Sequence, residues 1–350
     1  MRIRIRLPRN RGPAAASRAV CLSEIALMRH PKRIERRGTP PRSKALLAGI
    51  AACAVFGSSG AWSANGCTAA PTTHAFGAYD TINPTAGTSS ITITCRHGGQ
   101  AFTFNYTIAL SSGSGSYAAR QMTGAGDTLS FNHYTTLAHT TVWGDGTAGT
   151  ATISGSLLVP QGGGNSGSQT QTVYGLIGAP QNVTATAYAM ASPITVTLSA
   201  TNAGDFPTTT STFNTTSSVA AQCNVSAANL SFGAINPLSS QVDATTALTV
   251  NCTKNSAYTV GLDAGTTTGA TIAQRKMANG ADIMNYNLYT DAARTTIWGN
   301  SAVAPSWVSG IGAGLGIAQT LTVYGRVASG QANLAVGNYQ ENTITVTVTY

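Results

Sequence analysis

A glycine pattern is the first feature of this 350-residue chain that could support chemistry. Gly144, Gly146 and Gly149 form a G-x-G-x-x-G string, which in dinucleotide-binding proteins lets the backbone approach a pyrophosphate. Such a site also needs a helix directly after the turn. The next residues, TATISGSLLV, are rich in β-branched side chains and show no helical period. The string therefore predicts a turn between strands, and we expect no nucleotide cofactor.

Residues that could form a catalytic or metal site are sparse. His74, His97, His133 and His139 all lie in the first half of the chain, and no G-x-S-x-G, H-E-x-x-H or P-loop motif occurs. A histidine on a strand is most often a polar edge residue or a core residue, and the carboxylates are scattered. We therefore predict that the protein is not an enzyme and holds no metal and no cofactor.

The formal net charge of +9 is confined to the N-terminus. Of the 20 Lys and Arg residues, 13 precede residue 45, so the rest carries 7 basic and 9 acidic residues, or 7 − 9 = −2. This distribution excludes the basic surface typical of a nucleic-acid-binding protein.

Residues 1–64 are predicted to be a leader with a secretory signal peptide. The basic start is followed by the apolar run ALLAGIAACAVFG and by small residues up to a cleavage region at Ala61–Ala64. The run is too short to span a membrane. Two alternatives remain: translation from Met28, and a lipoprotein cleavage box at Ile50–Cys53.

The chain after the leader contains two copies of one unit. DTLSFNHYTTLAHTTVWG at Asp127–Gly144 is repeated as DIMNYNLYTDAARTTIWG at Asp282–Gly299, and TVYG occurs at Thr172 and at Thr322. The second copy loses two of the three glycines of the string, which argues further against a nucleotide site.

Apolar residues alternate with polar ones through both copies, as in Phe102–Leu110 and in ITVTVTY at the C-terminus. Alternation with Gly/Ser/Asn-rich turns predicts an all-β protein made of two tandem β-sandwiches. We assign the first domain to residues 65–200, the second to residues 223–350, and residues 201–222 to a Thr/Ser-rich linker or a self-completing strand.

Four cysteines follow the leader, two in each copy. Their separations match, 95 − 67 = 28 and 252 − 223 = 29. The duplication therefore favours the pairs Cys67–Cys95 and Cys223–Cys252 among the three possible pairings, in the oxidising compartment that a signal peptide implies.

The repeated unit resembles the spore coat protein U domain. The resemblance rests on FGAINP, RKM, YNLYTDAARTTIWG, TLTVYGRV and the terminal GNYQENTITVTVTY, and it covers residues 223–350 fully and residues 67–200 more loosely. The resemblance implies that the chain is a subunit of archaic, Csu-type chaperone–usher pili and that both domains have an immunoglobulin-like fold. It also implies that the C-terminal sandwich lacks its last strand. A periplasmic chaperone, and then the N-terminal strand of the next subunit, would supply that strand by β-augmentation.

The resemblance also implies roles for parts of the chain. Only a few residues separate the predicted cleavage region from Cys67, too few for a donor strand, and this favours a two-domain tip adhesin that accepts a strand without donating one. Along the last strand, the residues expected to border the donor are Ile344, Val346, Val348 and Tyr350.

Two apolar segments of the first copy are candidates for an exposed binding surface. The first is GAPQNVTATAYAMASP, expected at the end remote from the second domain, with Val183, Tyr188 and Met190 in contact with an abiotic or host surface. The second is the segment Leu157–Gly164, with Leu157, Leu158 and Val159. The alternative for Val183 and Tyr188 is that they belong to the core.

These patterns together predict a pilus tip adhesin, secreted through the periplasm to the cell surface, that supports attachment and biofilm formation. Its expected partners are the chaperone, an outer-membrane usher, the next pilin subunit and a surface, with no nucleic acid. The alternatives are a structural coat or fibre-body subunit of the same fold and a secreted carbohydrate-binding module.

Overall fold

The computed structural model describes residues 3–6, 66–162, 165–201, 206–235, 240–331 and 333–350. The predicted signal peptide and its cleavage region lie outside the described residues. Every regular element that is described is a strand, and no helix long and apolar enough to cross a membrane is found among these residues. The prediction of an all-β protein is confirmed.

The strands fall into two groups after a short first strand, β1 (Ile3–Arg6). The first group is β2 (Gly66–Pro71), β3 (His74–Tyr79), β4 (Thr85–Arg96), β5 (Phe102–Leu110), β6 (Arg120–Gly124), β7 (Asp127–Tyr134), β8 (Ile153–Val159), β9 (Ser166–Ile177), β10 (Ala187–Ala189), β11 (Ile194–Ala200), β12 (Thr209–Phe213) and β13 (Thr215–Val219). The second group is β14 (Cys223–Ala227), β15 (Val242–Cys252), β16 (Ala257–Leu262), β17 (Arg275–Asn279), β18 (Asp282–Tyr289), β19 (Val308–Ile311), β20 (Gln319–Val327) and β21 (Glu341–Thr349).

Each group of strands encloses its own hydrophobic core, and we call the two groups domain 1 and domain 2. The alternation seen in the sequence sets which side chains are inside, because successive residues of a strand point to opposite faces of the sheet. In β5, for example, Phe104, Tyr106, Ile108 and Leu110 are all buried.

Domain 1 is a sandwich of an eight-stranded and a four-stranded sheet. Their strand orders are β2-β4-β9-β7-β6-β10-β13-β3 and β12-β11-β5-β8. The long strands β4 and β9 run the length of the domain, from the pair Arg96–Ser166 at one end to the pair Thr85–Ile177 at the other.

Domain 2 repeats this plan with fewer strands. Its sheets have the orders β14-β15-β20-β18-β17 and β1-β21-β16-β19. The segment around Phe232, which corresponds to β3 of domain 1, contains no strand at residues 231–235. Domain 2 thus has no counterparts of β12 and β13 within residues 223–350 that the structure describes.

Both predicted disulfides are present. Cys67 faces Cys95 across the β2–β4 ladder, and Cys223 faces Cys252 across the β14–β15 ladder. Each bridge closes a loop of similar length, with separations of 28 and 29 residues. In the chain-entropy model a loop of that size stabilises the folded state by roughly 3–4 kcal/mol.

A buried arginine occupies the same place in each core. Arg275 is 0% exposed and donates hydrogen bonds to Asn287 Oδ1 and to the carbonyl oxygens of Leu262, Asp263 and Trp298. Arg120 in domain 1 makes the matching bonds to Asn132 Oδ1 and to the carbonyl oxygens of Ser111 and Trp143. Burial lowers the pKa of each guanidinium to about 10, so both remain charged at neutral pH.

Polar contacts join the two domains at one end of domain 1. Lys254 Nζ lies 2.6 Å from Asp127 Oδ1, and Asn182 Nδ2 donates to the carbonyl oxygen of Ala313. Thr184 donates its hydroxyl and its backbone N–H to Asp127 Oδ2, and its hydroxyl accepts a hydrogen bond from Asn255. Hydrogen bonds from Lys254 and Thr184 lower the pKa of Asp127.

Candidate functional site

Domain 1 fills its sandwich with a segment of its own chain. We call Thr209–Val219, which contains β12 and β13, the covering segment. β12 pairs antiparallel with β11, with Phe213 opposite Ile194, and β13 lies between β10 and β3. The covering segment sends alternate side chains inward, and the buried ones are Phe213, Thr215, Ser217 and Val219. Residues that the sequence assigned to a linker or a strand are therefore strands in the structure.

The matching edge in domain 2 is the outer edge of β21. Ile194 of β11 aligns with Ile344 of β21 (344 − 194 = 150). The inner edge of β21 pairs with β16, whereas its outer edge pairs with β1, which runs parallel to it with Ile5 opposite Ile344. The strand on this edge thus comes from the predicted leader and from no described residue of domain 2.

The four residues predicted to border a donor strand differ in burial. Ile344 and Val346 are fully buried in the core of domain 2, and Val348 packs partly against that core. Tyr350 is 56% exposed, just beyond the end of β21. The structure thus places all four along one edge, while their contact with a donor strand remains a prediction.

We call the space inside each sandwich next to the edge of β11 or β21 the groove of that domain. The floor of the groove is more apolar in domain 2 than in domain 1. His74 and His133 of domain 1 are replaced by Leu230 and Leu288 (230 − 74 = 156 and 288 − 133 = 155), and all four side chains are buried. Next to them Phe232 packs edge-on against Tyr286, whose buried hydroxyl has no hydrogen-bond partner among the described residues. Burial raises the pKa of Tyr286 well above its usual value.

A buried carboxylate holds the start of β21. Glu341 is 1% exposed and accepts hydrogen bonds from the backbone N–H and hydroxyl groups of Thr266 and Thr267 and from the N–H of Thr343. Burial raises the pKa of this carboxyl, but the hydrogen bonds outweigh burial, so the net effect is a lowered pKa. Glu341 is therefore ionised and fully partnered, which marks it as a positioning residue for the β21 edge and not as an acid catalyst.

The prediction that Val183, Tyr188 and Met190 form an exposed loop is wrong. These side chains are 4%, 1% and 5% exposed, because β10 is enclosed between β6 and β13 and the Tyr188 hydroxyl donates to the carbonyl oxygen of Thr184. The expected position is also wrong. The segment begins next to domain 2 rather than at the remote end, as the contacts of Asn182 and Thr184 show.

The prediction that Leu157, Leu158 and Val159 are exposed is correct only for Leu158. β8 alternates, so Leu157 and Val159 are buried in the core while Leu158 is 59% exposed. Gly163 and Gly164 lie outside the described residues. Phe102 pairs with Val159 in the β5–β8 ladder, which places this segment at the end of domain 1 remote from domain 2.

An aromatic cluster at the same remote end was missed by the sequence analysis. We call His97, Phe102, Phe104 and Phe206 the distal cluster. His97 stacks on Phe102 at 5.1 Å, and Phe206 packs at 4.7 Å from Phe104 and 6.3 Å from Phe102. Phe102, His97 and Phe206 are only partly buried. The sequence analysis did not single out Phe206 because this residue lies in the segment assigned to a linker. An aromatic residue in a Thr/Ser-rich stretch nevertheless indicates that the stretch packs against other residues.

The glycine string forms a turn, in agreement with the sequence analysis. Asp145 Oδ1 accepts hydrogen bonds from the N–H and hydroxyl of Thr147, and Gly146 adopts a φ of 87°, which favours glycine. A strand, β8, follows it. Among the described residues no group of three or more His, Cys, Asp or Glu side chains could hold a metal ion.

Comparisons with known proteins agree with this architecture. The model of the family described as "Spore Coat Protein U domain" matches residues 52–197 and again residues 209–349. The chain belongs to the spore coat protein U domain family. Protein U of Myxococcus xanthus is 30% identical over 162 residues, which cover 41% of this chain and 86% of that protein.

Two solved structures are similar to this member of the spore coat protein U domain family at lower identity. One is the complex of the chaperone CsuC with the tip adhesion subunit CsuE from archaic chaperone–usher Csu pili of Acinetobacter baumannii, with 15% identity, a TM-score of 0.47, and coverage of 81% of this chain and 100% of that chain. The other is the CupB6 tip adhesin of Pseudomonas aeruginosa, with 8% identity, a TM-score of 0.34, and coverage of 80% and 97%.

Proposed function

We propose that this protein is a non-enzymatic adhesin that ends a chaperone–usher pilus. One observation carries the proposal: domain 1 covers its β11 edge with its own chain, whereas among the described residues the equivalent β21 edge of domain 2 is covered by a strand of the predicted leader and by none of its own. Removal of the leader during export would leave that edge free. An exposed edge with an apolar floor is the surface on which β-augmentation acts.

The partners follow from this geometry. A periplasmic chaperone would pair with β21 first, and the N-terminal strand of the next subunit would replace it after delivery to an outer-membrane usher. Predicted cleavage at Ala61–Ala64 leaves few residues before β2, and Cys67 is already tied to Cys95 within the β2–β4 ladder. We propose that the chain then accepts a strand without donating one, and that it therefore ends the fibre on the cell surface.

Co-expression with a chaperone tests the proposal. We expect the secreted chain to be recovered as a one-to-one complex with a periplasmic pilus chaperone, and to lose this complex when β21 is charged by Val348→Asp. Val303→Asp is the matched control because Val303 is 76% exposed and lies in the connection between β18 and β19 of domain 2. Recovery of the unmodified chain as a stable monomer that ignores the chaperone would overturn the proposal.

The remote end of domain 1 is the surface we propose for attachment. It combines the exposed Leu158 with the partly buried aromatic rings of the distal cluster. Uncharged apolar groups at the end of a fibre suit contact with an abiotic or host surface, and through it the formation of a biofilm.

Charging this end should weaken attachment. Burying one leucine against an apolar surface contributes about 1.5 kcal/mol, so Leu158→Asp should lower adhesion to polystyrene roughly 10-fold per contact. Assembly of pili, followed by electron microscopy, should be unchanged. Val303→Asp on domain 2 should leave both properties unaltered, and equal adhesion of the Leu158 variant and the parent would exclude this surface.

A further inference from the structure

Two histidine side chains meet in the core of domain 1. His74 on β3 and His133 on β7 are both 0% exposed, and their ring centroids are 4.7 Å apart. His74 Nδ1 lies 2.9 Å from the hydroxyl of Ser89. His74 Nε2 and both ring nitrogens of His133 have no hydrogen-bond partner among the described residues. Buried polar groups are normally partnered, so three such nitrogens in one place call for an explanation.

The fold itself does not need these histidines. At the equivalent places in domain 2 the buried residues are Leu230 and Leu288, in a core of the same plan. The two domains therefore offer an internal comparison: one core carries a titratable pair where the other carries two aliphatic side chains.

The pair lies directly beneath the covering segment. The ring of Phe213 is 5.5 Å from the ring of His133. Thr215 is opposite His74 in the β13–β3 ladder, and the N–H of His74 donates to the carbonyl oxygen of Asn214. Thr215 is 0% exposed, and its hydroxyl also has no partner among the described residues. The covering segment is thus what separates the two rings from water on this side.

No described group around the pair favours a positive charge. His74 and Arg120 of β6 both lie close enough to His133 to oppose its protonation. Ser89 of β4 is neutral, and Phe76 and Phe213 supply apolar rings. The carboxylates of domain 1 that the structure describes, Asp80, Asp127 and Asp145, hydrogen-bond to other groups.

We propose that His74 and His133 form an acid-sensitive latch under the covering segment, so that their protonation releases Thr209–Val219 from domain 1 while the strands of domain 2 stay in place. Releasing this segment would admit water to the rings, because it separates β12 and β13 from β11, β10 and β3 while it leaves the β4–β9 ladder intact. Domain 1 would then expose the edge of β11, which is the counterpart of the β21 edge of domain 2.

The direction of the pH effect follows from linkage. Burial lowers the pKa of His74 from 6.5 to about 4, and burial, His74 and Arg120 together lower the pKa of His133 well below its usual value. The released form binds protons more tightly, so the closed form is fully favoured above pH 6.5 and loses ground as the pH falls towards 4. From well above pH 6.5 to well below pH 4, His74 alone changes the closing equilibrium roughly 300-fold, because 6.5 − 4 is 2.5 pH units.

Hydrogen exchange of the secreted full chain as purified, alone or with its chaperone, tests the latch at pH 7.5 and at pH 4.5. After correction for intrinsic exchange rates, protection of peptides from residues 209–219 should fall about 100-fold or more at the lower pH. Peptides from β4 and β9 should keep their protection. A uniform loss over domain 1 would overturn the local release.

The matched variant is His74→Leu with His133→Leu, which installs the residues of domain 2. Its covering segment should show no such pH dependence, and the same dependence as in the parent would refute the latch. Should this variant fail to fold, nuclear magnetic resonance titration of the two imidazoles in the parent decides the question, because pKa values near 6.5 would contradict a buried latch. This result does not depend on the proposed function, since it needs neither adhesion nor pilus assembly.

Discussion

A copy of residues 201–221 fused directly after Tyr350 should give domain 2 a covering segment of its own and stabilise it by about 3 kcal/mol. The design follows from the duplication. In domain 1 the chain leaves β11 at Ala200, turns, and returns as β12 with Thr209 opposite Leu198. Ala200 aligns with Tyr350, so the copy would return with the same register along β21 (350 − 200 = 150).

The expected gain comes from two large side chains. Phe213 and Val219 are 4% and 5% exposed in domain 1, and their copies would enter the more apolar groove of domain 2, near Leu230 and Leu288. Burial of these two side chains contributes about 3–6 kcal/mol, and the hydrogen bonds of the new strand ladders offset the entropy lost when the appended chain becomes ordered. A net 3 kcal/mol raises the unfolding midpoint of a domain of this size by about 10 °C, measurable by calorimetry.

The control for the fusion carries Phe213→Asp within the appended copy. A carboxylate at this place would be buried against apolar groups, so the gain in the unfolding midpoint should vanish. A second version with Thr215→Ile in the copy should gain further, because domain 2 has a leucine where domain 1 has His74. Equal midpoints for the fusion, its Asp control and the parent would show that β21 does not accept a strand in this register.

Replacement of Arg275 by methionine should destabilise domain 2 by about 3–5 kcal/mol. The guanidinium joins β17 to Asn287 of β18 and to carbonyl oxygens at the ends of two further segments, Leu262–Asp263 and Trp298. Methionine fills much of the volume but donates nothing, so four acceptors lose their bond to the guanidinium, and Asn287 Oδ1 keeps only the N–H of Leu288. Denaturant unfolding followed by tryptophan fluorescence measures the loss.

The substitution Lys276→Met at the neighbouring position is the control for charge and size. Because Lys276 is partly exposed, this substitution should change the free energy of unfolding by less than about 1 kcal/mol. Arg120→Met in domain 1 should cost as much as the Arg275 change, since its bonds to Asn132, Ser111 and Trp143 match. A loss below about 1 kcal/mol at Arg275 would mean that the acceptors find other donors or water.

The sequence predicted the architecture well because its signals are local or repeated. Alternation in Phe102–Leu110 assigns inner and outer faces by the period of a strand alone. The duplication paired Cys67 with Cys95 and Cys223 with Cys252 without any coordinates. The same duplication aligns Arg120 with Arg275 (275 − 120 = 155). The sequence did not indicate that these two charged side chains are buried or hydrogen-bonded.

The prediction of the binding surface failed because exposure depends on what packs above a segment. Val183, Tyr188 and Met190 lie in a stretch with little strand alternation, which resembled an exposed loop in sequence. In the structure all three side chains are buried, and Tyr188 pairs with Ser217 of β13, a strand formed by residues that were equally compatible with a linker. Phe206 was missed for the same reason, since its neighbours in space, Phe102 and Phe104, are far away in the chain.

The sequence by itself determined two copies of an all-β unit, their cystines and their family, because duplication and period-two patterns are written in consecutive residues. Only the tertiary structure decided that residues 209–219 cover domain 1 and that the same edge of domain 2 is left to a strand from elsewhere. The physical reason is that strand pairing and burial join residues distant in sequence. Two edges of similar sequence, ITVTL at Ile194 and ITVTV at Ile344, are covered by different segments, according to which segment can reach each edge.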